Sequence, residues 1–284
     1  MLWKQKNCRL RSKTRIGKWV EVAESMNDVQ ISGHLYLHAV LTALEDLLKH
    51  TSKARKILGA QKFSVVVDCL EAKNKSLLIL FENGKAQVRS SSDETADVYL
   101  VFKEYQSVVH FFEGSGIVLP KVRIGWRRPW YLITVVRLLL IMKSHLEPAE
   151  KSIEKSRELT ISHARLLLGV GLQSMKELSE IESFSQRIVQ SLPNGLALFA
   201  IEKETILAWI RVDSGKITVG KGAPDRKPDV LLRFKSAKTA LSILKSKLPQ
   251  LEAVGKTDLE VSGMIPLADG IGYIVDRLSR YIKV

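Results

Sequence analysis

His34 and His38 stand four residues apart, a spacing that puts two imidazoles on one helix face and suits a metal ion. No carboxylate completes the set at helical spacing, so a structural role is expected for both. Asp97 and Asp229 hold the same place in two similar stretches of the chain. Each opens a strand after a turn, where a carboxylate caps backbone N–H groups, and that reading is preferred to acid–base work. Ser115, in the run EGSG at 113–116, has the letters of a nucleophile elbow. It follows a helical pattern instead of a strand, so it reads as a loop serine. The run GKGAPDRKP at 220–228 has glycines like those of a phosphate loop, but Pro224 and Pro228 deny it the following helix. Cys8 and Cys69 make neither a zinc site nor a redox pair by spacing. Cys69 is expected in the core and Cys8 as a free thiol. No catalytic set, metal site or cofactor is predicted, and the chain is expected not to be an enzyme.

Charge and apolar surface are more informative. Lys plus Arg number 44 against 30 Asp plus Glu, a net charge of +14. Such a field attracts nucleic acid, anionic headgroups or acidic ligands without choosing among them. Seven of the cations precede the first acid, Glu21, and such clusters favour an anionic membrane surface. The stretch RIGWRRPWY at 123–131 interleaves Arg123, Arg127 and Arg128 with Trp126, Trp130 and Tyr131. Aromatic amphiphiles beside cations suit a membrane interface, so Trp126, Arg127, Arg128, Trp130 and Tyr131 are the expected membrane-surface residues. The helix that follows, Trp130–Met142, is apolar nearly all round with Arg137 its only charge, which requires burial on several sides or contact with lipid. No stretch reaches the roughly 20 apolar residues of a spanning helix. The N-terminus lacks the apolar core of a secretory signal. A cytoplasmic protein, at most peripheral to a membrane, is expected.

The elements that position these residues come in two similar sets. Glu82-Asn83-Gly84-Lys85 matches Asp213-Ser214-Gly215-Lys216. Thirteen residues after Gly84 comes DVYLVFK at 97–103, and fourteen after Gly215 comes DVLLRFK at 229–235, identical at five of seven positions. A helical pattern, a strand ending at Gly125 or Gly263, and an apolar closing helix follow in both. The Asn-Gly and Ser-Gly pairs predict tight hairpins. Phe63–Leu70 and Leu196–Ile201 read as buried strands in front of them. Helices are predicted near His34–Lys49, Glu104–Glu113 and Ser236–Lys247, with others near Ala149–Leu168 and Leu172–Ser191. In the last helix Met264, Leu267, Ala268, Ile271, Ile274, Val275, Leu278 and Ile282 recur at three- and four-residue spacing. Pro266 suits its first turn. The result is an α+β reading: a basic segment 1–30, a first domain 31–145, a linker and helix 146–170, and a second domain 171–284.

The strand starts PDVLLRF and ADVYLVF, the Gly-ended strands KVRIG and DLEVSG, and the apolar closing helices resemble the sterol carrier protein type-2 family. The resemblance covers about two thirds of the chain, roughly 60–145 and 190–284. It implies a tandem pair of domains, each an about five-stranded, mainly antiparallel sheet covered by helices, with an apolar tunnel for a fatty acyl, sterol or isoprenoid-like ligand. It implies no catalysis. The stretch GWRRPW is foreign to the family pattern. The expected lipid-binding residues are Met264, Leu267, Ile271, Ile274 and Leu278 of the second closing helix and Leu132, Val136 and Leu139 of the first. Partners are then a lipid or other apolar small molecule and an anionic membrane surface. An accessory protein presenting a lipid-like intermediate or partner helix to a separate enzyme is the alternative. A nucleic-acid binder ranks last, because no nucleic-acid module is visible.

Overall fold

The computed structural model describes residues 26–72, 76–91, 95–115, 118–124, 129–146, 157–202, 205–245 and 247–282. Most of the basic segment, including Cys8, lies outside the described residues, as do Gly125, Trp126, Arg127 and Arg128.

The first half opens with α1 (Asp28–Leu35), a π-helical turn (Tyr36–Val40), α2 (Ala43–His50) and α3 (Ser52–Leu58). Asn27 and Gln30 cap α1 reciprocally, each side chain accepting from the other's backbone N–H at 2.9 and 3.0 Å. Then come β1 (Phe63–Cys69), β2 (Ser76–Glu82), β3 (Lys85–Ser91), β4 (Val98–Phe102), α4 (Tyr105–Glu113), β5 (Lys121–Ile124) and α5 (Pro129–Leu146). The second half has α6 (Arg157–Ile181), α7 (Ser183–Ser191), β6 (Gly195–Ile201), β7 (Thr205–Asp213), β8 (Lys216–Lys221) and β9 (Val230–Phe234). It ends with α8 (Ala237–Leu244), α9 (Gln250–Gly255), β10 (Leu259–Gly263) and α10 (Ile265–Leu278).

The fold is α+β, with two five-stranded sheets of one topology. Their orders are β3-β2-β1-β4-β5 and β8-β7-β6-β9-β10. All neighbours run antiparallel except the central pairs β1/β4 and β6/β9. The likeness extends to single hydrogen bonds. Asp97 Oδ2 accepts from the Ser64 N–H at 2.9 Å, and Asp229 Oδ2 accepts from the Leu196 N–H at 2.8 Å. Each aspartate N–H also donates to the carbonyl of that same residue. The two carboxylates thus tie the starts of the parallel pairs together, acting across the sheet instead of locally. Asn83-Gly84 and Ser214-Gly215 all have positive φ, between 50° and 74°, as a two-residue primed hairpin turn requires.

The expected helix pair near 149–168 and 172–191 is instead one 25-residue helix, α6, followed by the short α7. Gly169 and Gly171 do not break it. A Cβ at Gly169 would lie 3.2 Å from Asp46 Oδ2, so the glycine permits close approach of α2. Helix α6 packs against α1, the π turn, α2 and α5 of the first half, and against β7, β8, α7, α8 and α10 of the second. One hydrophobic cluster therefore runs through both halves. Buried Asp46 on α2 meets Lys221 Nζ on β8 at 2.8 Å, an ion pair joining the halves. Cys69 is buried, as expected.

Candidate functional site

The second half holds a cavity of about 560 Å³, within the size range of sites that enclose small ligands. Its wall is built by periodicity. Leu167, Val170, Gly171, Ser174 and Met175 present one face of α6. Phe199, Leu232, Phe234 and Leu259 come from β6, β9 and β10, and Ile243 and Leu244 from α8. Ala268, Ile271, Val275, Leu278 and Ile282 close it from α10 and its end. Polar groups gather at the exposed edge, where Gln250, Asp276 and Ser279 line the opening. Leu251 on α9 stands at the same edge and is 88% exposed. Deeper in, the Ser174 hydroxyl is fully buried and has no hydrogen-bond partner.

Of the residues expected to line this space, Ile271 and Leu278 do. Leu267 is buried against the start of β6, where a Cβ on Gly195 would come within 2.7 Å of it. Ile274 is also in the closed core, and Met264 caps α10 half-buried. The helix and its end present 268, 271, 275, 278 and 282 to the cavity, all members of the apolar pattern, with Ala268, Val275 and Ile282 in place of the expected Met264, Leu267 and Ile274. The α6 wall was not anticipated, although residues 167, 171, 174 and 175 recur at helical spacing and carried the signal.

The first half has a shallower groove of about 310 Å³ between the π turn, α4 and α5. Val136 and Leu139 line it, with Tyr36, Phe111, Phe112 and Leu140. Leu132 packs beside the core instead. Trp130 is 69% exposed. Tyr131 is half-buried, its ring stacked on Phe63 at 4.4 Å and its hydroxyl donating to the Lys62 carbonyl at 3.3 Å. The remaining expected surface residues, Trp126, Arg127 and Arg128, lie outside the described residues.

The polar clusters elsewhere are structural in their geometry. His34 and His38 are buried and stack with centroids 4.2 Å apart. The carboxylate missing from their own helix comes from α6, where Glu177 Oε2 lies 3.3 Å from His34 Nε2. Burial pushes the Glu177 carboxyl up, but the His34 hydrogen bond and the Lys176 charge outweigh it and hold it below the usual range. Among the described residues no group of three His, Cys, Asp or Glu side chains could hold a metal. His163 is held down to about 4, first by burial and then by His145 and Lys245, so it stays neutral. His110 Nδ1 is 2.7 Å from Ser115 Oγ, and Gln106 Nε2 is 2.7 Å from His110 Nε2. Glu182 fastens the closing helix. It accepts from Arg277 Nε at 2.6 Å, from the Tyr281 hydroxyl at 2.7 Å and from Ser185. Burial pushes its carboxyl up, yet those hydrogen bonds outweigh burial and hold it below the usual range.

No family model matches the chain, and no curated protein does. Among solved structures it is similar to Sterol Carrier Protein 2 Like 2 from Aedes aegypti at 18% identity, over 38% of this chain and 96% of that one, with a TM-score of 0.28. Sterol Carrier Protein 2 from Yarrowia lipolytica in its apo form is 17% identical over 39% of this chain and 90% of its own, with a TM-score of 0.30. The inverting sec-alkylsulfatase Pisa1 from a Pseudomonas species is 12% identical over 51% of this chain and 28% of its own, with a TM-score of 0.26. Among the described residues no helix is long and apolar enough to cross a membrane.

Proposed function

We propose that this protein is a non-catalytic lipid-binding protein that takes up a fatty acyl, sterol or isoprenoid-like molecule at the surface of an anionic membrane. The proposed domains are 31–145 and 171–284, with the basic segment 1–30 in front; residues 146–170 carry the first part of α6, which runs on into the second domain. The observation that supports this best is the 560 Å³ cavity of the second half, with apolar side chains on its wall and polar groups at its edge. A long apolar chain placed there would leave water, which favours binding by about 25 cal/mol per Å² of apolar surface removed. Among the described residues the cavity wall has no arrangement of nucleophile and base, and the sequence features that resemble the sterol carrier family point the same way.

The test is uptake of a fluorescent fatty acid by the purified chain in vesicle-free buffer. Ile271→Trp puts an indole into the cavity and is expected to lower uptake about tenfold or more, since the displaced ligand loses at least one side chain's worth of burial. Circular dichroism must show the fold retained. Undiminished uptake by that variant would sink the carrier reading.

A further inference from the structure

The two closing helices occupy the same place in their halves, after the fifth strand, yet they present opposite outer faces. Helix α10 exposes Ile265 and Pro266 at its start and then Asp269, Tyr273 and Asp276, with Ser279 and Arg280 exposed just past its end, a mostly polar face. Helix α5 exposes Trp130, Ile133, Val136 and Leu140, with Leu140 63% exposed. The cations Arg137 and Lys143 flank that stripe. Neighbouring positions extend it, since Leu119 is 75% exposed and Val122, Lys121 and Arg123 of the β5 region are exposed as well. The charge is one-sided. From 114 to 146 the chain has 33 residues with six Lys or Arg and no Asp or Glu. The inner face of α5 is meanwhile occupied, with Thr134, Val135, Leu138, Ile141 and Met142 buried, so the outer stripe is not needed for the core.

We infer that the first half is a docking module, and that α5 lies flat on an anionic bilayer with Trp130, Ile133, Val136 and Leu140 among the headgroups. Charge complementarity selects this occupant. An apolar stripe that carries the cations Arg137 and Lys143 and no acid of its own helix fits lipid, which offers hydrocarbon beneath a sheet of phosphates, whereas a protein partner would have to match apolar surface with acidic side chains. In this orientation the 310 Å³ groove beside α5 opens toward the acyl region. The labour is then divided: the first half engages the membrane and the second half encloses the ligand. The inference builds on the carrier reading above, and its test separates the two.

The full chain is sedimented with phosphatidylcholine vesicles that contain, or lack, phosphatidylglycerol. Binding to the anionic vesicles is expected, and it should weaken with salt. Ile133→Asp/Leu140→Asp should lower it by about tenfold or more, because two apolar side chains are withdrawn from lipid. Arg137→Glu/Lys143→Glu should lower it about tenfold and flatten its salt dependence. All four positions are exposed, so the melting temperature should hold. Tyr273→Asp on α10 serves as the matched control and should bind like the parent. In vesicle-free buffer the α5 variants should take up fluorescent fatty acid normally, while Ile271→Trp should lose uptake and keep vesicle binding. The inference falls if the folded α5 variants sediment like the parent, or if the parent ignores anionic vesicles. It falls equally if those variants turn a dimer into a monomer with vesicle binding unchanged, which would make the stripe a surface between copies of the chain.

Discussion

Asp97 and Asp229 illustrate what single residues could and could not disclose. Their shared position was legible from the repeat, and so was their preference for backbone N–H groups over catalysis. That each caps the neighbouring strand 33 residues away depends on the parallel pairing, which no local pattern encodes. Glu177 shows the same limit. It completes the His34–His38 pair from a helix 143 residues away from His34 in sequence. Ser174 is a different case. Its hydroxyl is buried without a partner, and an orphaned buried polar group costs about 1–3 kcal/mol. Ser174→Ala removes that cost and leaves little new space. It should raise stability by about 1 kcal/mol, read as a higher midpoint in urea with an unchanged slope. A lower midpoint would mean that the hydroxyl has a partner after all.

At the scale of elements, the hairpins and the strand ending at Gly263 were the most readable. Positive φ leaves a chemical trace in the choice of glycine, and Gly263 is the sharpest instance. It has φ of 102°, and a Cβ there would sit 2.1 Å from the Asp229 carbonyl oxygen. Gly263→Ala should therefore cost about 3 kcal/mol or more, since backbone must move and the conformation is strained. A variant that melts within a degree or two of the parent would contradict this. Helix α6 was the element read worst. The two expected helices left 169–171 between them, which holds Gly169 and Gly171; glycine weakens a helix by about 1 kcal/mol, and tertiary packing carries α6 through both. The closing helix α10 was found, and of the five residues expected on its cavity face Ile271 and Leu278 line the space. Both of its stripes are apolar, and only the positions of β6 and α6 decide which one meets empty space.

At the scale of the molecule, composition and repeat announced two similar α+β units with a basic balance. The way they join was hidden, because it rests on contacts between distant residues such as Asp46 and Lys221. Helix α6 belongs to both cores, and the hydrophobic cluster is continuous across them. Duplicated domains on a flexible tether unfold independently, whereas a shared core couples them. Denaturant unfolding should thus follow one transition, with tryptophan fluorescence and far-ultraviolet circular dichroism coincident. Two separated transitions would show that α6 does not link the halves energetically.

The shared helix also sets the mechanics of the molecule. At about 1.5 Å per residue α6 is a rod some 37 Å long, gripped by elements from both ends of the chain. With so much of both halves packed on this axle, closure of one half on the other like a clamshell is not expected. A ligand of the proposed kind would pass instead through the opening lined by Gln250, Asp276 and Ser279, beside the short α9. On the proposed reading, such passage at the edge of the second half would leave α5 of the first half undisturbed.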